Sequence, residues 1–115
     1  FVDEALLPAL YGGARLFIYP SIYEGFGLPP LEAMASGTPV VVAARSCMPE
    51  VCGDAAAYVD PDDPDQLLGT IRHSLTAGDW RTQATVRGLD RARRFTWDRC
   101  IDGTIAVYRR TLEES

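Results

Sequence analysis

Short apolar runs alternate with longer amphipathic stretches along the 115-residue chain. Three runs are rich in β-branched, aromatic or small apolar residues: RLFIYPS (15–21), in which Pro20 ends the apolar part, PVVVAA (39–44) and AAAYVD (55–60). Runs of this length and composition are typical of strands. The unbroken valines of the second run are typical of a strand that is covered on both faces. We therefore predict three short strands.

Apolar residues three or four positions apart predict helices around these strands. The predicted helices cover residues 3–14, 29–36, 61–78, 79–94 and 97–112, and one helical turn covers residues 48–53. Pro29 and Pro30 fall in a first turn, where a missing N–H costs nothing. Gly37 suits the position just after that helix. Thr96 is a good N-cap for the last helix.

This order of elements predicts an α/β fold in which a Rossmann-like parallel sheet carries flanking helices. A chain of 115 residues is long enough for one domain with one core. Sheets of this kind bind ligands at the carboxyl ends of their strands, often at the N-terminus of the next helix. The segment after RLFIYPS lies at such a position.

Charge and composition narrow the choice of partners. The net charge of −5 argues against a nucleic acid or an anionic membrane as the main partner. All eleven basic residues are arginines, and there is no lysine. Aspartates are interleaved with the arginines near the C-terminus, so we expect a solvated helix face there and no RNA-binding patch. The arginines concerned are residues 81, 87, 91, 93, 94 and 99.

The cysteines indicate a reduced, cytoplasmic protein. The sequence contains three cysteines, Cys47, Cys52 and Cys100. An odd number of cysteines without a disulfide framework is typical of a protein whose thiols stay reduced. Cys47 and Cys52 with the single histidine, His73, do not match the spacing of a zinc site, so no metal is predicted. No apolar stretch approaches the ~20 residues that cross a bilayer. The N-terminal FVDEALLPAL has no signal-peptide pattern.

The candidate chemistry lies in YEGFGLPPLEAMASGTPVVV, residues 23–42. Gly25 and Gly27 allow the backbone to approach a ligand closely. The helix that follows would offer free N–H groups and the positive end of its dipole to an anion such as a diphosphate. Glu24 precedes the glycines and Glu32 lies in the first turn of the predicted helix, so hydroxyl groups could bind on both sides of the anion. A sugar nucleotide has this distribution of groups.

A purely structural interpretation of the same residues is also open. Glycine and proline are ordinary turn residues. Glu32 could stabilise the helix dipole, an effect worth about 0.3–1 kcal/mol. Glu24 could be a solvated loop charge.

Two longer segments, PSIYEGFGLPPLEAMASGTPVVV and MPEVCGDAAAYVDPDDPDQL, resemble the C-terminal domain of glycosyltransferase family 4, the retaining GT-B enzymes. Glu24 and Glu32 match the two ends of that family's E-x7-E motif. The resemblance implies transfer of a hexose, with mannose as one candidate, from a GDP- or UDP-sugar to an acceptor hydroxyl with retention of configuration. It also implies a cleft between two Rossmann-like domains, with no metal or other cofactor.

The resemblance assigns a role to each site residue. Glu32 would bind the ribose hydroxyls of the donor. Glu24 would be the catalytic residue: it would contact hydroxyls of the donor sugar near the reacting carbon and support an oxocarbenium-like transition state. The sugar and the diphosphate would lie along the backbone of Gly25, Phe26, Gly27 and Leu28.

The sequence also departs from the family. An arginine and a lysine near the start of the family's C-terminal domain neutralise the diphosphate, but this sequence has no lysine, and Phe1 falls after that point. Residues 1–115 therefore resemble one partial Rossmann-like domain without the N-terminal acceptor domain. We expect sugar transfer, and any contact with a membrane surface, to require that domain. Residues 97–112 correspond to the last helix, which often crosses back to it. The alternative is a half-domain that binds sugar nucleotides or other partners without catalysis.

Overall fold

The three apolar runs form one parallel sheet. In the computed structural model, which describes residues 1–114, the strands β1 (Phe17–Tyr19), β2 (Val40–Ala43) and β3 (Ala56–Val59) lie in the order β1-β2-β3. Val41 pairs with Ile18 on one side and with Ala57 on the other. The predicted α/β fold with a Rossmann-like parallel sheet is confirmed, although each strand is shorter than the run that predicted it.

Residues 1–114 also contain six α-helices and two 3-10 turns. The helices are α1 (Leu7–Gly13), α2 (Leu28–Ala35), α3 (Met48–Cys52), α4 (Pro64–Thr76), α5 (Gly78–Arg93) and α6 (Trp97–Glu113). The 3-10 turns cover Glu4–Leu6 and Gly53–Ala55.

The prediction of one continuous helix over residues 3–14 is wrong. Glu4–Leu6 is a 3-10 turn capped by the Asp3 side chain, which accepts a hydrogen bond from the Ala5 N–H, and α1 begins only at Leu7. The reason is Pro8, which has no N–H to donate to the Glu4 carbonyl. That carbonyl instead accepts the tighter 3-10 bond from the Leu7 N–H.

The core lies between β2 and the helices α2 and α3. All four residues of β2 are buried, as the unbroken apolar run predicted. Val40 and Val42, which point to one face of the sheet, belong to a cluster with Met34 of α2 and Met48 of α3. This packing fixes α2 against the sheet, and with it the loop that precedes α2.

The predicted end of α2 is confirmed. Gly37 has a φ of +80°, a conformation that strongly favours glycine, and its N–H donates to the Met34 carbonyl at 3.0 Å. The Thr38 N–H donates to the Ala33 carbonyl at the same distance. These two bonds form a Schellman motif, which turns the chain directly into β2.

The N-cap of the last helix is also as predicted. The Thr96 hydroxyl accepts a hydrogen bond of 3.3 Å from the Arg99 N–H. None of the residues of α6 is buried. Its large apolar side chains recur every three or four residues and face solvent, so they form an apolar stripe: Trp97, Ile101, Ile105, Tyr108 and Leu112.

The prediction of a solvated arginine face is correct for residues 87, 93, 94 and 99, which are exposed, and wrong for Arg81 and Arg91. Arg91 is half-buried, donates from Nε to the Val51 carbonyl at 2.8 Å and also donates to the Glu50 carbonyl. Arg81 donates to the Arg15 carbonyl at 3.3 Å. Both side chains extend from α5 along the rest of the fold with their apolar stems partly covered. Within residues 1–114 Nε of Arg91 has an acceptor, whereas Nε of Arg81 is buried without one.

Candidate functional site

The candidate site lies where the sequence predicts it, beyond the carboxyl end of β1. Residues 20–27 connect β1 to α2 and contain Glu24. Because β2 runs parallel to β1, the loop after β2 comes to the same edge of the sheet. That loop contains Ser46, which contacts Glu24.

Two hydroxyl groups hold the carboxylate of Glu24. Tyr19, the last residue of β1, and Ser21 each donate a hydrogen bond of 2.7 Å to Oε1 of Glu24. The bond from Ser21, followed by that from Tyr19, holds the pKa of the Glu24 carboxyl below its ordinary value. Glu24 is therefore ionised at neutral pH and has a fixed side-chain orientation.

The backbone of Glu24 is held separately. The Ser46 hydroxyl accepts a hydrogen bond of 3.3 Å from the Glu24 N–H and donates one of 2.9 Å to the Glu24 carbonyl. The Cys47 thiol lies 3.4 Å from the same carbonyl oxygen, as a second donor to it. Both ends of Glu24, backbone and carboxylate, are thus tied to the sheet edge.

Glu32 is exposed on α2 and accepts one hydrogen bond, 3.0 Å long, from the Tyr11 hydroxyl to Oε2. Burial, with a smaller effect from this bond, raises the pKa of the Tyr11 phenol. The expectation that Glu32 lies in the first turn of its helix is wrong, because α2 begins at Leu28. Glu32 is one turn further along, and the interpretation of Glu32 as a residue that only favours the helix dipole loses its basis.

An aromatic ladder connects the two tyrosines. The ring of Phe17 lies edge-on to that of Tyr11, with centroids 5.4 Å apart, and stacks on that of Tyr19 at 5.8 Å. The hydroxyl groups of the two tyrosines each donate a hydrogen bond to one glutamate, that of Tyr11 to Glu32 and that of Tyr19 to Glu24. Tyr19 of β1 therefore positions the Glu24 carboxylate, and Tyr11 of α1 positions that of Glu32.

The loop between the glutamates has unpaired backbone donors. Within residues 1–114 the structure shows no hydrogen bond from the amides of Gly25, Phe26 and Gly27. Gly27 is the N-cap of α2 and provides no side-chain cap. Of the first three helical residues only Leu28 has an N–H, since the next two are prolines. The donors available to an anion are therefore mainly loop amides, and the helix itself contributes fewer than the sequence led us to expect.

The two glycines of the loop differ in what the fold requires of them. Gly27 has a φ of +93°, and a Cβ on it would lie 2.6 Å from Cε of Met48, which is fully buried. A Cβ on Gly25 would meet nothing within 4 Å. The fold itself needs glycine at position 27 but not at position 25.

A cavity of about 320 Å³ adjoins this loop. Its lining residues are Gly25, Phe26, Cys47, Glu50, Val51, Arg91 and Phe95. Phe26 packs edge-on against Phe95 with ring centroids 5.9 Å apart, and Arg91 lies 5.4 Å from the Phe95 centroid. Neither Glu24 nor Glu32 lines the cavity, so it overlaps the candidate site only at Gly25 and Phe26.

Arg45 follows β2 at the same edge of the sheet, and its positive charge is already paired. Its guanidinium lies 3.0 Å from the Asp60 carboxylate and 2.6 Å from that of Asp62. These bonds, chiefly the one to Asp62, raise the pKa of Arg45.

Among residues 1–114 no group of three or more His, Cys, Asp and Glu side chains could hold a metal ion. Cys47, Cys52 and Cys100 are free thiols, and burial raises the pKa of Cys52 to about 11. The statement that the protein uses no metal stays a prediction. No helix within residues 1–114 is both long and apolar enough to span a bilayer.

Four residues that hold the glutamates were not identified from the sequence: Tyr11, Tyr19, Ser21 and Ser46. A weak signal existed for the tyrosines, because a partly buried phenol normally has a hydrogen-bond partner. No pattern in the sequence pointed to Ser46, which is 22 residues away from Glu24.

Comparisons with known proteins identify a family that the chain matches. The model of the family described as glycosyl transferases group 1 matches residues 1–88. The chain is 49% identical over 109 residues to the O-antigen chain mannosyltransferase B of Escherichia coli, covering 95% of this chain and 29% of that protein. It is 37% identical to the MMP alpha-(1->4)-mannosyltransferase of Mycolicibacterium hassiacum, covering 96% of this chain and 28% of that protein.

Solved structures are similar over nearly the whole chain. A sucrose-phosphate synthase from Thermosynechococcus elongatus has a TM-score of 0.84 and 29% identity, over 99% of this chain and 29% of that one. An alpha,alpha-trehalose-phosphate synthase (UDP-forming) from Burkholderia vietnamiensis has a TM-score of 0.85 over 95% of this chain and 26% of that one; at 19% identity it supports the fold alone. The chain thus spans less than a third of the length of each of these proteins.

Proposed function

Because the chain belongs to the glycosyl transferases of group 1, we propose that it forms the donor-binding part of an enzyme that transfers a hexose from a nucleotide-diphosphate sugar to an acceptor hydroxyl, with retention of configuration. Mannose is the first candidate sugar, since the relatives at 49% and 37% identity are named mannosyltransferases. We propose that residues 1–115 constitute one partial Rossmann-like domain of that cytoplasmic enzyme.

The diphosphate of the donor would bind at the loop before α2. The amides of Gly25, Phe26 and Gly27 have no partner within residues 1–114, and the Leu28 N–H begins the helix. Backbone donors at a helix N-terminus favour a bound anion, and the helix dipole adds to this preference. The backbone of Gly25 can approach the ligand closely because nothing occupies the space where a Cβ would stand.

Glu32 would bind the ribose of the nucleotide. Its Oε2 is held by the Tyr11 hydroxyl, while the side chain is exposed and has further acceptor capacity for two hydroxyl groups. A carboxylate that accepts hydrogen bonds from ribose hydroxyls is a recurrent arrangement in dinucleotide-binding sheets.

Glu24 would act on the sugar. Its lowered pKa keeps it ionised, so it can accept hydrogen bonds from sugar hydroxyls and stabilise positive charge near the anomeric carbon. The carboxylate is already oriented by Tyr19 and Ser21 before the donor binds, and preorganisation of this kind costs nothing at the moment of reaction.

The observation that carries the proposal is the placement of two tyrosine-bound carboxylates on either side of a loop with unpaired amides. Solvated surface charges would not need these partners. No metal or other cofactor is required by the proposal.

Substitution of the two glutamates in the intact protein tests it. Turnover of GDP-mannose and, in parallel, of UDP-sugars is measured as release of the nucleoside diphosphate. We expect Glu24→Ala and Glu32→Ala each to lower kcat/KM at least tenfold, about 1.4 kcal/mol, with Glu24→Ala acting mainly on kcat. Asp65→Asn, which removes an exposed carboxylate from α4, serves as the control. Wild-type kcat/KM in both glutamate variants would show that the site is misassigned.

Binding without turnover would favour the alternative function. If the intact protein binds a sugar nucleotide, weakened by Glu32→Ala, but releases no diphosphate with any donor of the panel, the domain is a sugar-nucleotide-binding module.

A further inference from the structure

Ser46 has a backbone conformation that the rest of its loop does not share. Its φ is +56°, and within residues 1–114 it is the one residue other than glycine with a positive φ. This region is disfavoured for residues with a Cβ, and glycine adopts it without cost. A non-glycine residue in this conformation raises the question of what its side chain contributes.

The hydroxyl group of Ser46 forms hydrogen bonds with both backbone groups of one residue, Glu24. The hydroxyl oxygen accepts from the Glu24 N–H at 3.3 Å and donates its own proton to the Glu24 carbonyl at 2.9 Å. A glycine at position 46 would keep the backbone path and lose both bonds. A two-way hydrogen bond across 22 residues is thus the gain that accompanies the disfavoured φ.

We propose that Ser46 is a positioning residue for Glu24. The inference rests on the proposed role of Glu24 and extends it to a residue on a different loop. Tyr19 and Ser21 fix the carboxylate, and Ser46 fixes the Cα to which it is attached, so the three together determine where the carboxylate points. Loss of the Ser46 hydroxyl leaves the carboxylate bound at Oε1 and leaves the Glu24 backbone with only the weaker thiol bond from Cys47, so the backbone can shift relative to the sugar.

The kinetic consequence should appear in kcat. Small displacements of a group that acts on the reacting centre are costly in rate. Binding of the nucleotide depends on Glu32 and on the loop amides, which Ser46 does not touch. The KM for the donor should therefore change little.

The test uses Ser46→Gly and Ser46→Ala in the intact protein, with GDP-mannose as donor or, if it is not turned over, the best UDP-sugar of the panel. Ser46→Gly removes the hydroxyl together with the backbone strain, whereas Ser46→Ala removes the hydroxyl and keeps the strain. We expect both to lower kcat about tenfold with KM within about twofold, and Ser46→Gly to unfold at a higher temperature than Ser46→Ala, because only glycine relieves the disfavoured φ. Wild-type kcat in Ser46→Gly would overturn the proposal.

A double-mutant cycle separates positioning from a general structural effect. In the Glu24→Ala background, measured from residual turnover at high enzyme concentration, Ser46→Gly should change kcat less than twofold. The same tenfold loss in both backgrounds would mean that Ser46 acts independently of Glu24, and the proposal would fail. If Glu24→Ala itself has wild-type activity, the proposed function of the site fails; if Glu24→Ala is impaired and Ser46→Gly is not, only the positioning role fails.

Discussion

Tyr19 and Glu24, five residues apart on the two sides of Pro20, are joined by a hydrogen bond of 2.7 Å from the phenol to the carboxylate. Tyr19 is the last residue of β1, so the carboxylate is positioned by the sheet and not only by its own loop. The bond also changes the acid–base behaviour of both groups: it is the largest cause of the raised pKa of Tyr19 and contributes to the lowered pKa of Glu24.

The pKa of Glu24 should therefore depend on its hydroxyl partners. We expect a carbon NMR titration of the Glu24 carboxyl to give a pKa below the ordinary glutamate value of ~4.3. Tyr19→Phe and Ser21→Ala should each raise it, and Ser21→Ala should raise it more, because Ser21 is the larger cause. Tyr23→Phe, which changes a neighbouring phenol without a bond to Glu24, should leave it unchanged.

The same bonds predict the direction of a pH effect on stability. A carboxyl with a lowered pKa in the folded state stabilises the protein above its unfolded-state pKa, and this stabilisation is lost as the pH falls through the lowered value. The difference in free energy of unfolding between the wild type and Tyr19→Phe should therefore be larger at pH 7 than in strong acid. An unfolding series over pH that showed no change in this difference would contradict the assignment.

Substitution by alanine should affect stability differently at the two loop glycines, Gly25 and Gly27. Gly27→Ala forces a Cβ into a positive φ and against Met48, so we expect a loss of at least about 1 kcal/mol in the free energy of unfolding. Gly25→Ala should be neutral to stability within about 0.5 kcal/mol, because its Cβ meets nothing. If the donor occupies the space next to Gly25, Gly25→Ala should still weaken GDP-mannose binding about tenfold, as measured by calorimetric titration. Unchanged affinity in Gly25→Ala would place the donor elsewhere.

Gly88 should be required for the contact between α2 and α5. A Cβ on Gly88 would lie 3.2 Å from Cγ of Met34, which is buried, whereas a Cβ on Gly69 of α4 would meet nothing within 4 Å. Alanine favours the helix over glycine by up to about 1 kcal/mol at either position. The difference in stability between the two variants is therefore free of this contribution. We expect Gly88→Ala to be less stable than Gly69→Ala by roughly 1–3 kcal/mol in denaturant unfolding. Equal stabilities would show that the interface accommodates the methyl group.

The three thiols should differ in reactivity. Cys52 is fully buried with a pKa of about 11, whereas Cys100 is exposed. Because the thiolate is the reactive form, iodoacetamide at pH 8 should label Cys52 more than about a hundredfold more slowly than Cys100. Mass spectrometry of peptides after timed labelling measures both rates. Urea at unfolding concentrations should make them comparable, which serves as the control.

Much of the fold could be predicted because local signals agree with the tertiary structure. The valines of β2, the glycine after α2 and the Thr96 cap each act within a few residues, so the sequence around them is sufficient. The 3-10 turn before α1 was missed although its cause is local. A proline near the start of a helix is usually harmless, but Pro8 leaves the Glu4 carbonyl without its α-helical donor.

The partners of the glutamates depend on distant parts of the chain. Glu24 could be selected from its spacing to Glu32, but the contacts of Ser46 and of Tyr11 with the two glutamates arise only when β1, β2 and α1 come together. The inward direction of Arg91 has the same origin, since its acceptors on residues 50 and 51 are 40 positions away or more. Hydrogen bonds between residues so far apart produce no periodic pattern in the sequence from which they could be predicted.

The unpaired amides before α2 make occupancy of this site observable without any label. Amides without an acceptor in the fold exchange their protons with deuterated water quickly, whereas those of β2 lie in the sheet ladder and require opening of the core. A bound diphosphate would convert the amides of Gly25, Phe26 and Gly27 into slowly exchanging groups. Deuterium uptake at residues 25–27, measured with and without a sugar nucleotide, would thus detect binding at single-residue resolution. The slowly exchanging amides of β2 would serve as an internal standard.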